Sequence, residues 1–130
     1  MTPSVKPEPM DDIPTIQLPE RVDSATSGSV GALVFAAIRP GARLIVDGSA
    51  VTWMSAAGVR VLAMAIHRAQ EQGTRIVLCS FSGPAADCLL VSGFSQLFDV
   101  AESVEEAKRR LAIHPTPAAG ERLHLRRAAG

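Results

Sequence analysis

The segment at residues 52–62, TWMSAAGVRVL, lies where an apolar run gives way to a helical pattern, and such junctions often carry the working residues of a protein. Ser55 is the polar residue nearest the start of the helix. As an N-cap, its hydroxyl could accept a hydrogen bond from the N–H of the second or third helical residue, a contact worth about 1 kcal/mol. Ala56, Ala57 and Gly58 follow it and carry no functional group. The junction therefore predicts a capped helix rather than acid–base or nucleophilic chemistry.

Other arrangements that could support catalysis or metal binding are missing from the sequence. The imidazole and thiol groups have no spacing typical of zinc ligands; they belong to His67, His114, His124, Cys79 and Cys88. The glycine pair in GSVGALVF (28–35) lacks the third glycine and the basic residue of a phosphate-binding loop. No serine, histidine and acid can be combined with an oxyanion site. The sequence predicts a non-enzyme without metal or cofactor.

Composition and charge limit the classes of partner. The chain has 130 residues with 47% apolar residues, enough for one core, and its 13 basic and 13 acidic side chains cancel. A balanced charge argues against a surface built to neutralise nucleic-acid phosphates or anionic lipid over a wide area. No apolar run approaches the ~18 residues of a membrane span. We expect a cytoplasmic protein with no direct nucleic-acid binding and no membrane insertion.

The two ends of the chain differ in composition from its middle. Residues 1–12 are rich in proline and acid, and residues 114–130 are rich in proline, alanine and glycine. Neither end has the periodic apolar positions that would offset the entropy cost of ordering. The sequence predicts disordered tails at 1–12 and 114–130 around a single domain at 13–113.

In the first half of this domain, strand-like and helix-like periods alternate. TIQLP (15–19) and ERVD (20–23) read as short strands, and residues 24–38 read as a helix with Asp23 or Ser24 as its N-cap and Leu33 in its apolar stripe. ARLIVDGSAVTW (42–53) contains a continuous apolar run typical of a strand buried on both faces.

The second half repeats the alternation. Residues 56–72 have a regular apolar stripe, and Gly73 stands at the position of a C-terminal cap. A buried strand at 75–81, a short helix at 83–93 and a short strand at 97–103 follow. Ser103 and Glu106 then form the pattern of a capping box at the start of a last helix. The sequence predicts an α/β fold: a mostly parallel sheet of four to five strands with about four helices.

Four segments in order resemble the STAS domain of anti-sigma factor antagonists. IQLPERVDSAT resembles the opening strand and turn of the family, with Val22, Asp23 and Thr26 in matching places. LIVDGSAVTWMSAAGVRVL resembles the family's strand, Asp-Ser-Ser-Gly junction and helix start. GTRIVLCSFSGPAADCLLVSGFSQLFDV and SVEEAKRRL resemble the following strand and short helix and the closing helix. The resemblance implies the STAS fold over nearly all of residues 13–111.

The resemblance also implies a binding module that phosphate regulates, and this chain departs from it at the regulated position. In the family, the first serine of the junction is phosphorylated by a partner kinase that is itself an anti-sigma factor. The family's Asp corresponds here to Ser55, its phosphorylated serine to Ala56 and its second hydroxyl to Ala57, while Gly58 is retained. Alanine cannot accept phosphate, so we expect no switch at Ala56. Phosphorylation of Ser55, one residue early, stays an alternative.

The predicted partner surface follows from the same helix. Its core stripe leaves an opposite edge that contains Arg60, Met64, His67, Arg68 and Glu71. Methionine repacks readily and arginine is enriched at interfaces. We expect this edge and Asp23 to contact an anti-sigma factor or histidine-kinase-like ATPase; the alternative is an ordinary solvated face.

A second function class stays open at this point. The chain could be a small STAS subunit or scaffold in a larger assembly, such as a phospholipid-transport or signalling complex. In either case we expect a monomer or a weak homodimer.

Overall fold

A computed structural model describes residues 13–113; the predicted tails, with His114 and His124, lie outside the described residues. The chain forms six strands and four helices in this order: β1 Thr15–Gln17, β2 Arg21–Val22, α1 Ser27–Ala36, β3 Arg43–Asp47, β4 Trp53–Met54, α2 Ala56–Gln72, β5 Arg75–Cys79, α3 Gly83–Val91, β6 Val100–Ala101 and α4 Val104–Ile113. The alternation of strands and helices predicted from the apolar periods is confirmed. The strand β4 is an addition that the sequence does not predict.

Parallel pairing organises the strands into two sheets. The main sheet has the order β1-β3-β5-β6, and every neighbouring pair in it is parallel. A small second sheet joins β2 to β4, also in parallel, with Val22 opposite Met54. This second pairing places the turn after β2 beside the start of α2, since β4 leads directly into that helix.

Apolar side chains fill both faces of the main sheet. On one face Leu44 and Leu78 belong to a large cluster with residues of α1, α2 and α3. On the other face Ile45 and Val77 pack in a cluster with Leu111 of α4. Successive side chains of a strand point to opposite faces, so a strand covered on both sides must be apolar throughout. The prediction of a doubly buried strand at β3 is confirmed.

The structure corrects the predicted start of α1 and the predicted burial of one of its residues. The N-cap is Thr26 rather than Asp23 or Ser24, and the helix ends at Ala36, well before Pro40. Leu33, predicted in the buried stripe, is 55% exposed. All ten residues of this helix are uncharged, so its sequence does not define which side faces solvent.

The helices α2 and α4 follow their sequence patterns closely. The apolar stripe of α2 is buried, and Gly73 ends the helix in the left-handed conformation with φ of 82°. At α4, the Ser103 hydroxyl accepts a hydrogen bond from the N–H of Glu106 at 3.1 Å, as predicted. The Glu106 carboxylate contacts Arg109 and Arg110, and these bonds hold its pKa below the ordinary value.

Candidate functional site

The junction between β4 and α2 is held by main-chain hydrogen bonds. The Ser55 N–H donates to the carbonyl of Val22 at 3.0 Å, and the Ser55 carbonyl accepts from the N–H of Val59 at 3.0 Å. Ser55 has the extended backbone of an N-cap residue. The β2–β4 pair therefore fixes where α2 begins.

The side chain of Ser55 does not act as predicted. Its hydroxyl makes no capping hydrogen bond to α2. The oxygen is buried, and it has no hydrogen-bond partner among the described residues. The prediction of a side-chain cap is wrong, because the first helical hydrogen bond is made by the main-chain carbonyl of Ser55 and the hydroxyl takes no part in it. A buried hydroxyl is also a poor target for a kinase, which must reach the oxygen.

The three residues after Ser55 differ in their surroundings. Ala56 is exposed and Ala57 is partly buried. Gly58 is buried, and a Cβ atom built on it would lie 2.4 Å from the carbonyl oxygen of Val22. Since real Cβ atoms do not approach this closely, Gly58 permits the contact between the first turn of α2 and β2.

Asp23 forms a compact turn beside this junction. Its Oδ1 accepts hydrogen bonds from the N–H groups of Ala25 at 3.0 Å and Thr26 at 3.2 Å. The Thr26 hydroxyl in turn accepts the N–H of Asp23 at 2.9 Å and donates to the carbonyl of Arg21 at 2.9 Å. The Arg21 guanidinium lies 3.2 Å from the Asp23 carboxylate. Most of the acceptor capacity of Asp23 is thus used within the turn.

These contacts lower the pKa of Asp23. Desolvation is the largest single influence and raises the pKa of its carboxyl, but the hydrogen bonds from Arg21, Thr26 and Ala25 together outweigh it. The pKa of Asp23 therefore lies below its ordinary value, and the carboxylate is charged at neutral pH. The structure brings this charge to the same end of the molecule as Ser55, through the pairing of Val22 with Met54.

The predicted contact residues on α2 lie together on its exposed side. Arg60, Met64, His67 and Arg68 are all exposed, and Met64 retains 56% of its accessible surface. A groove of about 470 Å³ runs along this side, and we call it the α2 groove. Besides these four residues, its lining comprises Phe35, Ala63, Glu71, Phe94 and Leu97.

Three lining residues come from outside α2, and the sequence does not predict them. Phe35 belongs to α1, whereas Phe94 and Leu97 follow α3. The sequence signal that could have pointed to the aromatic residues is their rarity, since the chain has only four Phe and one Trp. In the structure Phe94 is 41% exposed and Trp53 is 47% exposed. Rare aromatic side chains left in solvent are typical of contact surfaces.

The cations of the α2 groove have few partners among the residues that the structure describes. The Arg68 guanidinium lies 5.4 Å from the ring centre of Phe35. His67 Nε2 lies 3.5 Å from a Glu71 carboxylate oxygen. Among residues 13–113, neither Arg60 nor Arg68 forms an ion pair with a carboxylate. The groove therefore combines apolar walls with two positive charges that no carboxylate of residues 13–113 pairs with.

Comparison with protein families decides the relationship of this chain. The STAS domain family model matches residues 5–107. The chain belongs to the STAS domain family. The prediction made from its four sequence segments is confirmed, and so is the predicted fold class. A comparison with curated protein sequences found no match.

Solved structures share this STAS fold. An anti-sigma-factor antagonist STAS domain protein from Planctomyces limnophilus is 18% identical with a TM-score of 0.67, over 75% of this chain and 89% of that one. The SulP transporter STAS domain from Vibrio cholerae is 13% identical with a TM-score of 0.55, over 78% of this chain and 83% of that one.

A much longer transporter also contains this fold. The murine Solute Carrier 26 family member A9 anion transporter is 20% identical with a TM-score of 0.68, over 77% of this chain. This STAS domain spans only 18% of the transporter's length. None of the helices between residues 13 and 113 is long and apolar enough to cross a lipid bilayer. The same residues contain no cluster of three or more His, Cys, Asp or Glu side chains that could hold a metal ion.

Proposed function

We propose that this STAS domain is a protein-binding module of the anti-sigma factor antagonist type whose binding is not switched by phosphate at the α2 junction. The partner would be an anti-sigma factor or a histidine-kinase-like ATPase. The observation that carries the proposal is the exposed side of α2, where Met64 lies 56% exposed between Arg60 and Arg68. Methionine adapts to differently shaped partners, and arginine is frequent at binding hot spots.

The lack of a phosphate switch rests on the chemistry of the junction. Ala56 and Ala57, at the positions that the family resemblance assigns to hydroxyl residues, carry methyl groups. The remaining hydroxyl, that of Ser55, is buried. Phosphate would need an exposed oxygen at the start of α2, where the helix dipole could stabilise it. A partner that docks at this junction would therefore always contact the uncharged side chains of Ala56 and Ala57.

The experiment is a titration of the purified chain with an anti-sigma factor encoded in the same genome, followed by calorimetry. Arg60→Glu together with Met64→Asp should weaken binding at least tenfold, or about 1.4 kcal/mol. Thermal stability should change little, because both side chains are exposed. Arg109→Glu is the control, since it reverses an exposed charge on α4, across the sheet. Unchanged affinity for the folded double variant would place the interface elsewhere.

Incubation with the kinase partner and labelled ATP tests the second half of the proposal. The chain should bind the kinase and stay unlabelled. Stoichiometric label on Ser55 would show that the junction opens and that the module is switched after all.

A second candidate function has support from the transporter relatives. STAS domains occur in the murine anion transporter and in the Vibrio cholerae SulP transporter. This chain could likewise be a STAS subunit or scaffold of a larger assembly, such as a phospholipid-transport or signalling complex. Co-purification with a permease rather than with an anti-sigma factor would favour this function over the first.

A further inference from the structure

The α2 groove continues toward the junction at the start of the helix. A second depression of about 390 Å³ lies between α1 and α2, and it shares Phe35, Arg60 and Met64 with the α2 groove. Its other end is lined by Ser27 and Ala57. The two together form one channel that follows α2 from its first turn to its last third. Both parts are open to solvent, so an occupant would lie along the channel rather than be enclosed by it.

The walls of this channel differ in polarity. The α1 side is formed by a helix without a charged residue, SGSVGALVFA, and it offers small and apolar surfaces. The far side is formed by Phe94 and Leu97. Both arginines lie on α2 itself, and the one acid that lines the channel, Glu71, lies close to His67. An occupant that complements this channel would present apolar groups to α1 and to Phe94 and Leu97. It would carry negative charges where it passes Arg60 and Arg68.

We propose that the channel binds an amphipathic helix of a partner protein that carries carboxylates beside its apolar stripe. This inference rests on the proposed function and names the kind of segment that the partner would supply. Helix-in-groove recognition uses apolar anchors at i, i+3 or i+4 and i+7. Arg60 and Arg68 are eight residues apart on α2, which corresponds to about 12 Å along the helix axis. A partner helix parallel to α2 would meet both with acids seven or eight residues apart.

The arginines are suited to this role by their surroundings. The Arg68 guanidinium lies over the Phe35 ring at 5.4 Å from its centre, and a guanidinium can bind both oxygens of a carboxylate. Arg60 lies where the two depressions meet. A second copy of this chain fits the channel poorly, because a symmetric contact through α2 would bring arginines against arginines.

The test is a selection from a library of random 16-residue helical peptides on the immobilised full chain. The selected peptides should be acidic, with an apolar stripe and two acids seven or eight residues apart. Each should bind the Met64→Asp variant at least tenfold more weakly in solution, as measured by fluorescence anisotropy.

A charge swap gives the sharper readout. The Arg60→Glu and Arg68→Glu double variant should bind the selected peptide at least tenfold more weakly. It should bind instead a version of the peptide in which both acids are replaced by lysine. The Arg109→Glu variant is the control and should bind the original peptide normally. The inference is overturned if no peptide is enriched, if enriched peptides are neutral or basic, or if the swap leaves their affinity unchanged. Binding of phosphatidylglycerol vesicles through the same arginines, without peptide binding, would also overturn it and indicate a lipid surface.

This result is independent of the anti-sigma titration. Enriched acidic peptides together with a failed titration would retain the chemistry of the channel and reject the proposed partner. A successful titration, together with enriched peptides that are basic or neutral, would retain the proposed partner and reject the acidic helix as the occupant of the channel.

Discussion

The Ser55 hydroxyl is buried, and the side chain of the next residue, Ala56, carries no oxygen. Ala56 is exposed at the first position of α2, with its side chain accessible to a kinase. Replacement of that methyl group by a hydroxymethyl group would place an acceptor oxygen near the free N–H groups of the helix start. The junction therefore has an exposed position at the helix start and lacks a side-chain oxygen there that could accept phosphate.

The first prediction concerns this position. Ala56→Ser, combined with Ser55→Asp, should make the chain a phosphate acceptor for an anti-sigma kinase that binds it. The new hydroxyl would be exposed, and the helix dipole stabilises the added charge. Mass spectrometry after incubation with ATP should find one phosphate on residue 56. The Ser55→Asp variant alone is the control and should stay unmodified. A folded double variant that binds the kinase and is never labelled would show that the surrounding surface has also diverged.

The second prediction concerns the Asp23 turn and its pH dependence. The folded pKa of Asp23 is below the unfolded value of 3.8, so the charged form stabilises the fold above that pH. Asp23→Asn should lower the free energy of unfolding at pH 7. The difference from the natural chain should shrink as the pH falls below about 4, because the natural carboxyl then takes up its proton.

Urea unfolding at pH 7, 5, 4 and 3 measures this difference. Asp87→Asn is the matched control, since it removes an exposed carboxylate from α3. A gap between the Asp23 variant and the natural chain that stays constant from pH 7 to pH 3 would exclude the carboxylate charge as its cause.

At the scale of elements, the docking of α2 on β2 depends on the absence of one side chain. The third prediction is that Gly58→Ala lowers the free energy of unfolding by about 2 kcal/mol, because the new methyl group would overlap the main chain of Val22. Gly28→Ala in α1 is the control, since nothing lies within 4 Å of its added Cβ. That change should be neutral or stabilising by up to about 1 kcal/mol. Equal effects of the two changes in chemical denaturation would contradict the contact.

The elements also differ in how well the sequence predicts them. The bounds of α2 are predicted to the residue, because a long apolar stripe ends at a glycine in the left-handed conformation. The start of α1 is misplaced because three residues, Asp23, Ser24 and Thr26, are all common N-caps, and the local hydrogen bonds of the turn choose Thr26. The strand β4 is two residues long, and its pairing with β2 is a contact between distant parts of the sequence.

The candidate surface was predictable only in part, because one side of it is helical and local whereas the rest depends on tertiary packing. The exposed edge of α2 follows from its helical period, so Arg60, Met64, His67 and Arg68 can be placed from the sequence. The walls of the α2 groove come from α1 and from the segment after α3. No local pattern relates these segments to α2, because only the tertiary packing brings them together. The burial of the Ser55 hydroxyl is likewise a consequence of packing.

At the scale of the molecule, the main sheet separates two apolar layers that share its strands. Leu62 of α2 lies in one layer and Leu111 of α4 in the other, and both are fully buried. Alternate residues of β3 and β5 serve both layers. Loss of packing in either layer should therefore weaken the whole sheet.

The fourth prediction tests this coupling. Leu111→Ala and Leu62→Ala should each lower the free energy of unfolding by roughly 3 kcal/mol, the cost of a cavity in a buried core. Far-UV circular dichroism and tryptophan fluorescence should report the same urea midpoint for each variant, since one cooperative unit unfolds. An early loss of helical signal in Leu111→Ala, with an unchanged fluorescence transition, would show that α4 unfolds separately. Arg109→Ala, an exposed change on the same helix, should shift neither midpoint by much.

Trp53 gives this molecule an intrinsic optical reporter. It is the single tryptophan of the chain, it is 47% exposed, and it lies two residues before Ser55 with the Arg21 guanidinium 5.8 Å from its ring centre. The emission of an indole depends on its hydration and on nearby charge. A protein that covers the junction should shift this emission to shorter wavelength, whereas an occupant confined to the far end of the α2 groove should leave it unchanged. Unlabelled protein in a stopped-flow fluorimeter would thus show where docking begins and how fast.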